Sequence, residues 1–189
     1  MGGLIHGGSP ELRPPSDLHE AAAKFTLSTG ETLQEASQSG LLVLVFLRHF
    51  GCTFTRQILR GLEDTHQAAL NHSARLVLVH MLPNGGETRY LANHGGIDRV
   101  SDPRCELYHA FGLRKGGIRE LLGPRVWWLG FLSVYKGCGV GHLAGDGRQM
   151  PGAFLFRNSE IIAAQRAQSA SDMPDLAALF DGMPRPENR

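Results

Sequence analysis

The sequence predicts an α/β fold: a three-layer α/β/α sandwich around a central mixed sheet. Three observations carry this. First, Leu41-Leu-Val-Leu-Val-Phe-Leu-Arg48 is an unbroken apolar run ending at a charge. Its length and composition suit a strand buried on both faces, as in the middle of a sheet. Second, a helical pattern follows, with Phe54, Ile58, Leu62 and Ala69 spaced to share one side, and then a second apolar run, Arg75-Leu-Val-Leu-Val-His80. Strand, helix and strand in that order make a parallel βαβ unit with a right-handed crossover. Third, Ala153-Phe-Leu-Phe-Arg157 and Glu160-Ile-Ile-Ala-Ala164 flank Asn158-Ser159, which reads as an antiparallel hairpin.

The remaining elements follow in order. Residues 1–16 are rich in Gly and Pro and are expected to form a disordered tail. Asp17 is placed to cap a short helix over Leu18 to Lys24. Phe25 to Leu33 alternates around a Gly turn and reads as a short hairpin. After Arg48 a glycine turn leads into a helix expected from about Thr53 to Ala69 or Leu70, broken by Asn71-His-Ser. Glu87 to Asn93 is a weak helix closed by Gly95-Gly96, and Ile97 to Val100 a short strand. Asp102-Pro103 reads as a helix start, with Asp as N-cap and Pro in the first helical position, Leu107 and Phe111 on one face, and Gly112 as the stop. Trp127, Trp128, Phe131 and Tyr135 fall in a helix expected from Pro124 to about Tyr135, and such an aromatic group reads as a core or dimer patch. Asp172 is placed to cap a final helix to about Phe180 with Leu176, Leu179 and Phe180 facing in. The division expected is one domain over 17–181 with a loose tail over 182–189.

Composition narrows the function classes. At 189 residues with 42% hydrophobic side chains, the chain can bury a sizeable core. A net charge of +1 leaves no electrostatic footprint for nucleic acid or an anionic membrane. No apolar run reaches the roughly 18 residues of a membrane span. Cys138 and His142 lack the second pair that a zinc set needs, and Gly139-x-Gly141 follows no strand, so no metal and no cofactor are expected. The 3 cysteines, Cys52, Cys105 and Cys138, are too few and too spread for a secreted disulfide framework. No basic-then-apolar leader opens the sequence, and a reduced cytoplasmic location is the default expectation.

The residue that stands out is Cys52, where the central strand hands over to a helix. Backbone N–H groups at a helix start lack intrahelical partners, and the helix dipole adds partial positive charge. Arg48, His49 and Arg56 lie within four residues. Each of these favours a thiolate, which is the nucleophile in disulfide exchange and peroxide reduction. The plain alternative is a small buried hydrophobe. The junction position and the flanking bases favour the functional reading.

Val45-Phe-Leu-Arg-His-Phe-Gly-Cys-Thr-Phe-Thr-Arg56 resembles the active-site segment of AhpC/TSA-type peroxiredoxin-like proteins, a group that includes selenoprotein-L-like redox proteins. The match rests on Phe46, Arg48, Phe50, Gly51, Cys52 and Arg56. It continues through Val100-Ser-Asp-Pro-Arg-Cys-Glu-Leu-Tyr-His-Ala-Phe-Gly112 and Gly145-Asp-Gly-Arg-Gln-Met-Pro-Gly-Ala-Phe-Leu-Phe156, so it spans about residues 25–181. The resemblance implies a thioredoxin-like fold and a thiol-dependent peroxidase or thiol-disulfide oxidoreductase. It makes Cys52 the reactive cysteine, with Thr55, Arg56 and Pro151 at the same site and Arg48, His49, Phe50 and Gly51 in support. It also implies a peroxide or disulfide substrate and an external thiol reductant such as glutathione or thioredoxin. A homodimer is a further expectation.

Two departures matter. Thr55 stands where the family often has a second cysteine, so a local C-x-x-C disulfide cannot close. One helical turn places the Thr55 hydroxyl beside the sulfur, where it could donate a hydrogen bond. Cys138, in a Gly-flanked loop, is then the better candidate for a resolving thiol, and Cys105 the poorer one. Peroxiredoxins proper carry a Thr three residues before the reactive cysteine, where this chain has His49, and an Arg near the later strand, with which Arg148 is not in register. Met150–Pro151 falls where thioredoxin-like folds carry a cis-proline facing the reactive cysteine, so a cis bond is expected. The competing function is a redox-inactive thioredoxin-fold binding module with a degenerate C-x-x-T site.

Overall fold

The structure is a computed structural model, and it describes residues 18–92, 95–116, 148–167 and 178–180. Its elements are α1 (Leu18–Lys24), α2 (Leu33–Ser39), β1 (Leu41–Phe46), α3 (Thr53–Arg60), α4 (Leu62–Asn71), β2 (Ala74–His80), α5 (Thr88–Leu91), β3 (Asp98–Ser101), α6 (Glu106–Ala110), β4 (Gly152–Arg157), β5 (Glu160–Arg166) and a final 3₁₀ turn, Ala178–Phe180. The strands form one sheet in the order β3-β2-β1-β4-β5. β1 runs parallel to β2, and β2 to β3; β4 is antiparallel to both β1 and β5. This is the mixed sheet expected from the βαβ unit and the late hairpin.

All six residues of β1 are buried, which is why its sequence shows no polar alternation. Alternate side chains still serve different layers. Leu42, Leu44 and Phe46 join Val77, Val79, Phe154 and Phe156 beneath α1, α2 and α6. Leu41, Val43, Val45 and Leu47 join Leu76, Leu78 and Leu155 beneath α3 and α4. Leu179 and Phe180 pack into that second layer, as their sequence pattern required. Phe46 is fully buried, with Tyr108, Phe111 and Phe154 ring centroids 4.9, 5.0 and 5.4 Å away. Removing its ring would cost about 3–5 kcal/mol by the usual penalty for a large core cavity.

The structure corrects several expectations. The long helix after Cys52 is two helices. Gly61 interrupts it, its N–H donating to Gln57 O and Ile58 O at 3.3 and 3.1 Å in a tightened last turn. Glycine is a poor helix residue, and here the bonds shift to the shorter pattern. Phe25–Leu33 does form a short hairpin, an antiparallel bridge between Thr26 and Thr32 around Gly30, with the Leu27 N–H donating to Glu31 O and the Leu33 N–H to Phe25 O, both at 2.8 Å. The chain then enters α2, which the pattern reading missed. The signal was present, because Thr32-x-x-Glu35 forms a capping box in which Thr32 Oγ1 accepts from the Glu35 N–H and Glu35 accepts from the Thr32 N–H.

The helix expected to start at Pro103 begins three residues later. Cys105 adopts a left-handed conformation (φ 58°), which interrupts helical geometry ahead of Glu106. Asp102 nevertheless does the capping: its carboxylate accepts from the N–H groups of Glu106, Leu107 and Tyr108 at 2.9, 2.8 and 3.1 Å. Gly112 (φ 73°) closes α6 as expected.

No cis peptide bond occurs among the described residues, so Met150–Pro151 is trans, against expectation. Both residues are tied into extended pairing. The Met150 N–H donates to Arg114 O, and Pro151 O accepts from the Ala167 N–H beside β5. The Pro124–Tyr135 helix with its aromatic group, Cys138, the Asp172 cap, Leu176 and both terminal tails lie outside the described residues. No described helix is long and apolar enough to cross a membrane.

Candidate active site at the end of β1

The site lies where the chain leaves β1. Leu47 still pairs with β2, its N–H donating to Val79 O at 2.9 Å. Then Arg48, His49, Phe50 and Gly51 turn the chain into α3, whose N-cap is Cys52 (φ −77°, ψ 132°). The Cys52 side chain makes no capping hydrogen bond to this helix start. The turn is tied by the Cys52 N–H donating to His49 O at 3.0 Å, and α3 begins with the Arg56 N–H donating to Cys52 O at 3.2 Å.

The decisive contact is made by Arg48, four residues ahead of the cysteine. Its Nη1 donates to Cys52 Sγ at 3.1 Å, and its Nε donates to Gln149 O at 3.3 Å. Arg48 is 6% exposed and Cys52 7% exposed, so the pair is held away from bulk water. Charge-assisted hydrogen bonds strengthen under such conditions. The guanidinium thus holds a hydrogen-bond donor on the sulfur at close range.

Thr55 stands on the first turn of α3 and is 1% exposed. Its Oγ1 has no hydrogen-bond partner among the described residues, so the bond to the sulfur suggested by the spacing is not made. Phe50 lies on the other side of the turn. Its ring stacks on Tyr90 at 4.5 Å, and the His80 ring is 6.2 Å away. Burial lowers the His80 pKa, while nearby Glu87 raises it and Arg99 lowers it further. Pro151 directly precedes β4, whose Gly152 pairs with Phe46, so it stands at the same end of the sheet as the Cys52 turn.

Two residues of the site went unnoticed in the sequence. Tyr108 is fully buried, and its hydroxyl is 2.6 Å from Leu47 O and 3.0 Å from Val79 O. It fastens the ends of β1 and β2 just before Arg48. Burial pushes its pKa well above the ordinary value, so it remains a donor. A tyrosine in an amphipathic helix reads as ordinary core, and nothing in the sequence separates the two. Gln149 acts through its main-chain carbonyl, for which sequence carries no signal. Among the described residues no group of side chains could hold a metal ion.

A mixed sheet with a parallel core, helices on both faces and a cysteine at the helix start beyond the central strand define the thioredoxin-like class. The solved structures that this fold resembles are peroxiredoxins. Peroxiredoxin Q of Xylella fastidiosa aligns with a TM-score of 0.55 and 18% identity, over 92% of this chain and 96% of that one. The bacterioferritin comigratory protein of Xanthomonas campestris, described for alkyl peroxide reduction, aligns at 0.50 and 19% identity, over 83% and 89%. Thiol peroxidase of Chromobacterium violaceum aligns at 0.50 and 14% identity, over 83% and 79%. No family model matches the chain, and no curated protein matches its sequence. What is shared is the fold.

Proposed function

We propose that this chain is a peroxiredoxin-like thiol oxidoreductase of the AhpC/TSA type, in which Cys52 reduces a peroxide and an external thiol restores it. The observation that carries the reading is the Arg48 guanidinium 3.1 Å from Cys52 Sγ at the start of α3. A cation and a helix start together stabilise a thiolate.

The chemistry follows from that pairing. The thiolate attacks one oxygen of the peroxide; the S–O bond forms and the O–O bond breaks. The second oxygen leaves as alkoxide or hydroxide and takes up a proton, and Cys52 becomes a sulfenic acid. Arg48 faces the charge as it moves off the sulfur. The buried, unpartnered Thr55 hydroxyl supports the reading too, because a peroxide oxygen would give it the partner it lacks. A thiol then condenses with the sulfenic acid, releasing water and leaving a mixed disulfide. A second thiol frees Cys52 and departs as the disulfide. The reductant is glutathione or thioredoxin, the setting a reduced cytoplasm and the assembly a homodimer, with Pro151 and Arg56 completing the Cys52 site.

Intact mass after an equimolar amount of peroxide plus glutathione tests this. A glutathione adduct on Cys52 is expected. Thr55→Cys should instead give a disulfide between the new thiol and Cys52, without adduct, since i, i+3 cysteines at a helix start suit that bond. A Cys52–Cys138 disulfide in the unmodified chain would replace the single-thiol cycle with a two-cysteine one. A Cys52 that reacts no faster than a free thiol in solution would leave the fold as a binding module.

A further inference from the structure

The stretch leaving α6 runs beside the stretch entering β4. Lys115 and Gln149 form an isolated bridge, the Gly116 N–H donates to Arg148 O at 2.7 Å, and the Met150 N–H donates to Arg114 O at 3.2 Å. Gly152 allows the close approach: a Cβ there would meet Leu113 Cδ2 at 2.7 Å. Between these stretches and the end of β5 lies a pocket of about 330 Å³, lined among others by Leu113, Arg114, Lys115, Met150 and Arg166. That volume is at the lower end of small-molecule sites, which run from about 300 to 1,000 Å³.

Its charge is one-sided. Three cationic side chains line it, and among the described residues no carboxylate does. Arg166 is held in place: Nε and Nη2 donate to Phe111 O at 3.3 and 3.2 Å, and its guanidinium lies 5.0 Å from the Phe154 ring centroid. Arg114 and Lys115 are exposed. The pocket wall is also joined to the cysteine. Gln149 Nε2 donates to Leu113 O and Arg114 O at 3.2 and 3.4 Å. The same residue's carbonyl receives Arg48 Nε, and Arg48 Nη1 meets Cys52 Sγ.

We propose that this pocket is an anion subsite that seats the carboxylates of a small thiol serving Cys52, a dicarboxylate such as glutathione. The proposal rests on the oxidoreductase reading above and narrows its reductant. A small acidic thiol matches both the volume and the charge, whereas a protein dithiol needs no pocket of this size. Anchored by its carboxylates, the thiol condenses with the Cys52 sulfenic acid; the S–S bond forms, the S–O bond breaks, and the hydroxyl leaves with the thiol proton as water.

The first measurement is independent of cysteine chemistry: titration of the full chain with S-methylglutathione, which cannot react. Saturable binding is expected, weakened about tenfold by the double change Arg114→Gln, Lys115→Gln, the two exposed ion contacts together being worth a fold-change of that order. Arg157→Gln, at the β4–β5 turn, should not weaken it. Absence of saturable binding, or equal affinity in the double variant, overturns the subsite. The second measurement ties the pocket to the sulfur. Reduced protein is mixed with the dianionic 5,5′-dithiobis(2-nitrobenzoate) and with the neutral 2,2′-dithiodipyridine. The ratio of the two rate constants at Cys52 should fall about tenfold in the double variant and with added salt. An unchanged ratio overturns the link to Cys52. If S-methylglutathione binds but neither disulfide labels Cys52, the oxidoreductase reading falls and the anion site stands. A double variant that loses only its preference for a carboxylate-bearing hydroperoxide over tert-butyl hydroperoxide, keeping its glutathione rate, would make the occupant an oxidant and overturn the thiol assignment.

Discussion

Cys52 precedes α3 and Cys105 precedes α6, and both are buried, reduced thiols. By local sequence the two positions look alike: a small residue, a turn, then an amphipathic helix. What differs is how each helix start is already occupied. At α6 the Asp102 carboxylate takes the N–H groups of Glu106, Leu107 and Tyr108, so an anion is built in and the donors are used. Burial raises the Asp102 pKa, and these three hydrogen bonds offset only part of that rise. At α3 the N-cap residue Cys52 makes no side-chain capping bond, and Arg48 brings its guanidinium to the sulfur. A helix N-terminus favours a thiolate only where nothing else has claimed its donors and a cation stands beside it.

The comparison can be broken most sharply by deleting the thiols. Cys52→Ser is expected to lower peroxide-dependent thiol consumption by about a hundredfold or more, the scale on which a covalent nucleophile is lost. Cys105→Ser should leave it within about twofold. Steady-state assays on both decide the matter, and equal losses would end the distinction drawn between the two helix starts.

Arg48→Met comes next. It keeps most of the side-chain volume and removes the charge. The rate of Cys52 alkylation by iodoacetamide near neutral pH should drop about tenfold, the worth of one charge-assisted hydrogen bond. Arg48→Lys should recover part of it, since a point charge replaces a fork. An unchanged rate would show that the helix start alone activates the sulfur.

A smaller effect is expected at the other helix. Asp102→Ala leaves three N–H groups of α6 without their acceptor and should lower stability by about 1–2 kcal/mol in denaturant unfolding. Alkylation of Cys52 should be untouched, because no described contact of Asp102 reaches the Cys52 turn.

The smallest effect concerns pH. His80, at the end of β2 and 1% exposed, has its pKa held below the ordinary 6.5 by burial. The folded state therefore binds fewer protons there than the unfolded chain. Its stabilising contribution is complete above 6.5 and is lost as pH falls below that value toward the depressed folded pKa. Urea midpoints from about pH 7.5 down to about pH 5.5 should fall less steeply in His80→Phe than in the parent. Parallel slopes would remove His80 from the account.

Much of this was legible in advance because it depends on neighbours in sequence. The run from Leu41 to Leu47 has no polar residue to offer a solvent face, so it had to be a strand covered on both sides. The hairpin turn could be placed because Asn158 tolerates positive φ, and Asn158 and Ser159 adopt it, at 51° and 62°. Cys52 was singled out by its junction, its bases and the resemblance of the segment around it. The break at Gly61 and the capping box at Thr32 were also written in the sequence, yet went unread. Both are local hydrogen-bond choices that periodicity alone passes over.

Other features required the tertiary structure. Arg48, His49 and Arg56 all lie within four residues of Cys52; the turn geometry and the Gln149 carbonyl, 101 residues from Arg48, put the Arg48 guanidinium on the sulfur. Tyr108 reaches Leu47 O across 61 residues, and the basic pocket joins the end of α6 to the ends of β4 and β5. Such contacts form because packing two layers onto one sheet brings distant main-chain groups within hydrogen-bond range, and a main-chain carbonyl looks the same in every residue type. By itself the sequence determined the main strands, the Asp102 cap and a cysteine at the junction after the central strand. The packing of the folded chain decided which cation meets that sulfur.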